Sequence, residues 1–322
     1  MKALQGLAIE SFENIEHLSK PQLNSVNLIT GDPAMTRSVL HAVELLGTPL
    51  SLPVFWQLCQ RFHKERFSNN APMREQAMAL FFSSQPPTSQ KADSLTSLSV
   101  SEPLPEARYI RVTPVAREPM STTRTEQLQV FSPSGLFTVD LATPPTNQTL
   151  ATDAGRPASV GKSAHQSLTL LSEYIAQVGP KIAEVRFTEV LQMFDPGIAR
   201  ISVPTLSVQE VMIEHQEVGV VPVVLSAGLR RVLTMAAVAL QHPDSVLLID
   251  GVDASAQPGV FLATLKWLHT LANDMGLQIF AVSANPSLVT RHRSSLEPYA
   301  GLWFLEQEQS TRKLPLDREV IE

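Results

Sequence analysis

A single cysteine, Cys59, stands in 322 residues, so neither an internal disulfide framework nor a cysteine-rich zinc site can form. Charge is scarce too. Charged residues make up 17% of the chain, and 25 Lys and Arg against 31 Asp and Glu leave a formal net charge of −6. That balance argues against broad nonspecific attraction to nucleic acid or anionic membrane, while leaving room for a local basic face. No apolar run reaches membrane-spanning length, and Met1–Asn14 lacks the charged-then-apolar pattern of a signal peptide. The cytoplasm is the expected compartment. Aromatics are few, at 6%, and Trp56, Trp267 and Trp303 are expected in the core, because no basic run accompanies them as in a stacking platform. His63, His165, His215 and His292 are scattered without metal-ligand spacing, and Arg291-His-Arg293 reads as a solvated loop. Apolar residues are plentiful at 43%, enough for one large core or a core with an added lobe.

The pattern of that apolar content predicts an α/β fold with a mostly parallel sheet and helices on both faces. Ala3–Phe12 and Val26–Thr30 read as strands, and Thr36–Leu46 carries helical apolar spacing at Val39, Leu40, Val43 and Leu46. Further helices are expected over Val54–Phe67 and near Met73–Phe82. From Ser83 to Pro157 the texture turns rich in Pro, Ser and Thr. Three short strands are expected within it, at Tyr109–Thr113, Gln127–Phe131 and Leu136–Asp140, with mobile flanks at Ser83–Leu104 and Thr143–Pro157. Helical spacing returns over Ser167–Val178 and Lys181–Phe194, and Asp195-Pro-Gly197 stops it. Then come a helix at Gly228–Leu240, a strand at Ser245–Ile249, a helix at Gly259–Met275 and strands at Leu277–Val282 and Gly301–Glu306. The expected division is 1–82 and 158–322 as the two halves of one α/β domain, with 83–157 as a β-rich insertion.

Three stretches point to phosphate chemistry. Gly31-Asp-Pro-Ala-Met-Thr36-Arg37-Ser38 lies between a strand and a helix, where a phosphate loop reads Gly-x-x-x-x-Gly-Lys-Ser/Thr. Gly31 and Ser38 fit. Thr36 brings a Cβ into a turn that wants glycine, Arg37 replaces the compact lysine ammonium, and Pro33 removes a backbone donor. Leu225-Ser226-Ala227-Gly228 opens a helix carrying Arg230 and Arg231, with Ser226 as its cap and Gly228 in its first turn. Its bland reading is a capped helix with two surface arginines. Val246–Asp250 is an apolar strand ending in a carboxylate suited to magnesium, with Asp253 two residues past Gly251 reading as a solvated loop acid. Gly161-Lys162-Ser163 spells the end of a phosphate loop, but Gly155 lies one position too far upstream and no strand precedes it.

The order and spacing of these stretches resemble the AAA-family ATPases of the RecF/SMC/ABC class, in particular short single-chain ATP-binding proteins related to the OLD-type ATPase domain. Ile9-Glu-Ser-Phe-Glu-Asn-Ile15 resembles their opening "I-x-N-F-R-x-I". Val26-Asn-Leu-Ile-Thr-Gly31, Val39–Leu46 and Leu191-Gln-Met-Phe-Asp-Pro-Gly-Ile198 follow their pattern, and Leu-Ser-x-Gly sits about twenty residues ahead of the Asp250 strand. The resemblance implies a P-loop NTPase fold with ATP and magnesium as ligands. Gly31, Arg37, Ser38, Ser226, Gly228 and Asp250 would form the nucleotide site, with Ser38 and Asp250 on the metal. It also marks departures. The loop glycine is Thr36, the lysine is Arg37, the water-activating glutamate is Gly251, and the γ-phosphate-sensing histidine is Ala284 beside Asn285.

Those departures leave three readings. The first is a degenerate ATPase with no catalytic residue, serving as a regulatory or structural subunit. By resemblance alone it would belong to a DNA-maintenance or anti-phage assembly, in a homo- or hetero-oligomer with an ATPase-like or effector protein. The second is a slow or nucleotide-gated ATPase using Arg37, Ser38, Asp250 and Asp253. The third is a scaffold that binds no nucleotide.

Overall fold

Five short runs of apolar residues build the centre of the chain, in a computed structural model that describes residues 4–48, 52–66, 96–99, 109–114, 127–132, 135–140, 157–161, 164–203, 210–254 and 258–306. They are β3 (Val26–Gly31), β8 (Ala158–Val160), β12 (Val246–Asp250), β13 (Gln278–Ser283) and β14 (Gly301–Leu305). All pair in parallel, in the order β14-β3-β13-β12-β8. Side chains alternate across a strand, so each run feeds two cores. Val246 and Leu248 pack with α1 (Pro33–Gly47) and α2 (Leu52–Arg66) on one face. Leu247 and Ile249 pack on the other face with α3 (Ala164–Val178), α4 (Pro180–Gln192), α5 (Ala227–Gln241) and α6 (Pro258–Met275). Two short helices, α7 (Pro286–Arg291) and α8 (Arg293–Leu296), join β13 to β14. Trp56, Trp267 and Trp303 are all buried, as the composition predicts.

A second sheet is antiparallel, in the order β2-β1-β4-β5-β6-β7. Its first hairpin joins β1 (Leu7–Phe12) to β2 (Ile15–Lys20) through Glu13 and Asn14. Its later strands are β4 (Thr96–Ser99), β5 (Tyr109–Pro114), β6 (Gln127–Ser132) and β7 (Gly135–Asp140). The last three are the strands expected from alternation. β4 falls inside a flank expected to be mobile, yet it pairs with β1 from Ala8↔Ser99 to Glu10↔Ser97. Apart from β4 and Pro157, both flanks and the expected helix near Met73–Phe82 lie outside the described residues.

A third sheet was not foreseen. β9 (Ile198–Ser202), β10 (Glu210–His215) and β11 (Gly219–Val224) pair antiparallel in the order β11-β10-β9. Its signal was present in Val211-Met-Ile213, a short apolar run with β-branched ends, and in Gly219, whose φ of +78° suits the hairpin turn. β8 was also missed. Three residues are too few to carry a period, and Ala158–Val160 is a strand only because Leu247–Ile249 lies beside it.

Candidate functional site

In an open parallel sheet, ligands gather at the carboxyl ends of the strands, beside the switch in strand order. Here that edge presents Gly31 and Asp32 after β3, Gly161 after β8, Asp250 at the end of β12 and Ser283–Asn285 after β13.

The chain passes from β3 into α1 through one residue. The helix begins at Pro33, three residues ahead of the Thr36 start expected from apolar spacing, because Asp followed by Pro is a cap-and-first-turn pair. Asp32 Oδ1 accepts from the backbone N–H of Ala34 (2.8 Å) and Met35 (3.0 Å). Thr36 N donates to the Asp32 carbonyl, and Asp32 N to the Leu305 carbonyl, each at 2.9 Å. Pro33 has no N–H. All the backbone donors from Asp32 to Thr36 are therefore engaged within the chain. Gly31 holds a φ of +125°, and a Cβ there would lie 1.9 Å from the Leu305 carbonyl oxygen. Glycine is thus required by the close approach of β14.

Ser38 is fully buried on the underside of α1. Its Oγ donates to Glu13 Oε2 at 2.6 Å and accepts from Asn14 Nδ2 at 3.2 Å. One helical turn on, His41 Nδ1 lies 2.9 Å from Glu13 Oε1, and its ring stacks on Phe62 with centroids 4.0 Å apart. A carboxylate only accepts, so that imidazole nitrogen carries the proton. Glu13 adopts a left-handed φ of +51°, an unfavourable conformation for a residue with a Cβ, at the hairpin turn. The two bonds to α1 hold it there. No local pattern in the sequence marks Glu13 or His41, because they meet only when the β1–β2 turn packs against α1.

Arg37 and Asp250 do share a space. With His41 and Glu44 of α1, Arg61 of α2 and Gln166 of α3 they line a cavity of about 330 Å³. Arg61 pairs with Glu44 across it. Ser226 and Gly228 do not line that cavity. Ser226 instead caps α5, its Oγ accepting from Leu229 N at 3.2 Å.

Arg231 corrects the picture of two surface arginines. Its guanidinium is buried and donates to the carbonyls of Gly251 (2.7 Å), Gly161 (2.7 Å) and Asp250, tying α5 to the ends of β12 and β8. Burial weakens its hold on its proton, and Asp250 and Asp253 restore part of it. An arginine stays charged through such a shift. Gly161 is thus a structural acceptor, while Lys162 and Ser163 lie outside the described residues.

Asp253 is no solvated loop acid either. Oδ2 accepts from Ser283 Oγ (2.8 Å) and Asn285 N (3.1 Å), and Oδ1 from Ala284 N (3.1 Å). It fixes the turn after β13, where Asn285 then caps α7 through Leu288 N at 2.9 Å. Among the described residues no group of three His, Cys, Asp or Glu side chains is placed to hold a metal ion, and no helix is long and apolar enough to cross a membrane.

No protein-family model matches the chain, and no curated protein does. Solved structures do. An SMC head domain from Thermotoga maritima aligns over 94% of each chain with a TM-score of 0.50 and 11% identity. An SMC head bound to the C-winged helix domain of ScpA aligns over 89% of this chain and 91% of its own, at TM-score 0.49 and 11% identity. A third, an Smc head with an extended coiled coil bound to the C-terminal domain of ScpA, derived from Pyrococcus furiosus, covers 93% and 92% at TM-score 0.47 and 10% identity. The likeness to the Thermotoga head is one of fold: the chain is a mixed α/β protein whose five-stranded parallel sheet and helices match the P-loop NTPase fold of SMC heads.

Proposed function

We propose that this chain is an SMC-head-like ATPase fold that does not turn over nucleotide and acts by binding other protein chains. The observation that carries the reading is the fate of the backbone donors after β3. A phosphate loop works because several free N–H groups converge on an anion at a helix N-terminus. Here one residue links strand to helix, and the Asp32 carboxylate fills that N-terminus with a negative charge of its own. A phosphate arriving there meets like charge, a repulsion of about 4 kcal/mol at 4 Å in a surface-like dielectric.

Three further features support the reading. The Ser38 hydroxyl, which would hold magnesium, is bound to Glu13. Gly251 offers no side chain to activate water, a loss that typically costs on the order of a hundredfold to ten-thousandfold in rate. Ala284 cannot sense a γ-phosphate. The capped start of α5, with Ser226 exposed, remains available to complete a partner's site in a mixed assembly.

A second reading draws on the shared cavity of Arg37 and Asp250: a slow, nucleotide-gated ATPase in which the first turn of α1 unwinds to release Asp32. The two part in a phosphate-release assay on the purified chain with ATP and magnesium. The first predicts no turnover above background, the same for wild type and Asp250→Ala. Turnover lost in Asp250→Ala would overturn it.

A further inference from the structure

The third sheet has two unlike margins. At β9, helix α4 seals the edge from within the chain. Thr188 Oγ1 accepts from Ile201 N and Glu184 Oε1 from Val203 N, each at 3.0 Å, and Gln192 Nε2 donates to the Ile198 carbonyl at 2.9 Å. Arg200 adds an ion pair with Glu184 at 3.2 Å. A helix laid along a strand edge in this way covers the unpaired groups that invite other chains.

At the opposite margin, β11 keeps an apolar face in water. Val218, Val220 and Val224 are 68%, 61% and 75% exposed, and Pro222 lies exposed between them. Alternation sets Val220, Pro222 and Val224 on one side of the strand, with Val218 at the turn that enters it. Cross-strand register places Glu214 beside Val220 on that same face, with Arg200 one strand further on, and exposed Glu217 sits in the turn. Proline is tolerated in a strand where its missing N–H faces away from the ladder, so Pro222 interrupts the outer row of donors that an added strand would need. The occupant suited to this face is a helix.

The chain carries such a helix surface. The outer side of α4 exposes Ile182 and Val185 at more than half their area, between exposed Lys181 and Arg186. Arg186 also reaches Glu189 on the same side at 3.1 Å, and Gln192 and Met193 continue the surface. One margin thus presents two apolar side chains with Lys181 and the Arg186–Glu189 pair around them, a net positive surface, and the other an apolar strip with Glu214 and Glu217 beside it, net negative with Arg200 already held by Glu184. They lie at opposite ends of the order α4-β9-β10-β11, so they are not placed to meet within one molecule.

We propose that the outer face of α4 in one copy docks on the β11 face of a second copy, a head-to-tail contact that repeats along a chain or closes into a ring. Apolar patches supply the attraction, and Lys181 and Arg186 opposite Glu214 and Glu217 set the register. A contact of this size is weak and depends on concentration. It stands apart from the nucleotide reading, since no residue of the β3–α1 junction takes part.

Sedimentation velocity across a hundredfold range of protein concentration tests it, with no nucleotide present. The full chain should shift to larger species as concentration rises. Ile182→Glu and Val220→Glu are surface changes, and circular dichroism checks that each variant is folded. Each should weaken association by about tenfold or more. Mixed together, they should form a one-to-one dimer and nothing larger, because one intact α4 face and one intact β11 face remain. Three outcomes would overturn the proposal: a monomer at every concentration, association indifferent to both substitutions, or a mixture that stays monomeric.

Discussion

Gly31 and Ser38, the two residues that fit the phosphate-loop pattern, each have a packing role that needs no phosphate. Gly31 lets β14 approach, and Ser38 ties α1 to the Glu13 turn. Cys59 lies close enough to this buried cluster to feel it. It is fully buried, and desolvation, with the charge of Glu13 adding to it, pushes its thiol far above the ordinary value of 9.0. The folded protein therefore keeps this proton at a pH where the unfolded chain gives it up. The stability tied to it is fully present below about pH 9 and falls as pH rises beyond, with a slope of about 1.4 kcal/mol per pH unit. Urea denaturation at a series of alkaline pH values should show Cys59→Ala losing that part of the slope. Equal slopes for the two proteins would mean that Cys59 contributes nothing to the alkaline loss of stability.

Helix α1 starts where a side chain closes its end. Asp32→Ala removes the acceptor for the Ala34 and Met35 N–H groups and should destabilise the protein by about 1 kcal/mol in chemical denaturation. A null effect would mean that water caps the helix as well as the carboxylate does. Elements with a strong period were legible in the sequence. The five helices α2 to α6 and strands β3, β12, β13 and β14 lie within a few residues of where apolar spacing set them. Beside β2 and the third sheet, two short strands escaped because their form depends on a neighbour. β4 exists because β1 offers it an edge, and β8 because β12 does. The candidate site was half legible. Residue types at Gly31, Arg37, Ser38 and Asp250 could be read in order, but the carboxylates that occupy their surroundings could not. Asp32 closes a helix through its cap, Glu13 crosses from a hairpin 25 residues away from Ser38, and Asp253 reaches 30 residues on to Ser283. Only the Asp-Pro pair was a local signal, and it belongs to helix capping.

At the scale of the molecule, the SMC-head-like fold is held together across its carboxyl edge by contacts within the chain. Arg231 joins α5 to β12 and β8, Asp253 joins β12 to the turn after β13, and Asp32 N and Gly31 join the β3–α1 junction to β14. In a nucleotide-driven machine, bound phosphates and magnesium would organise part of that edge. Here its order comes from buried arginine, capping carboxylates and close backbone approach. The closed β3–α1 junction is what would keep nucleotide out. Isothermal titration of ATP with magnesium into the purified chain, beside Asp250→Ala, probes that junction. A closed junction leaves both proteins without binding heat at millimolar ATP, whereas micromolar binding abolished by Asp250→Ala would mean that the junction admits nucleotide.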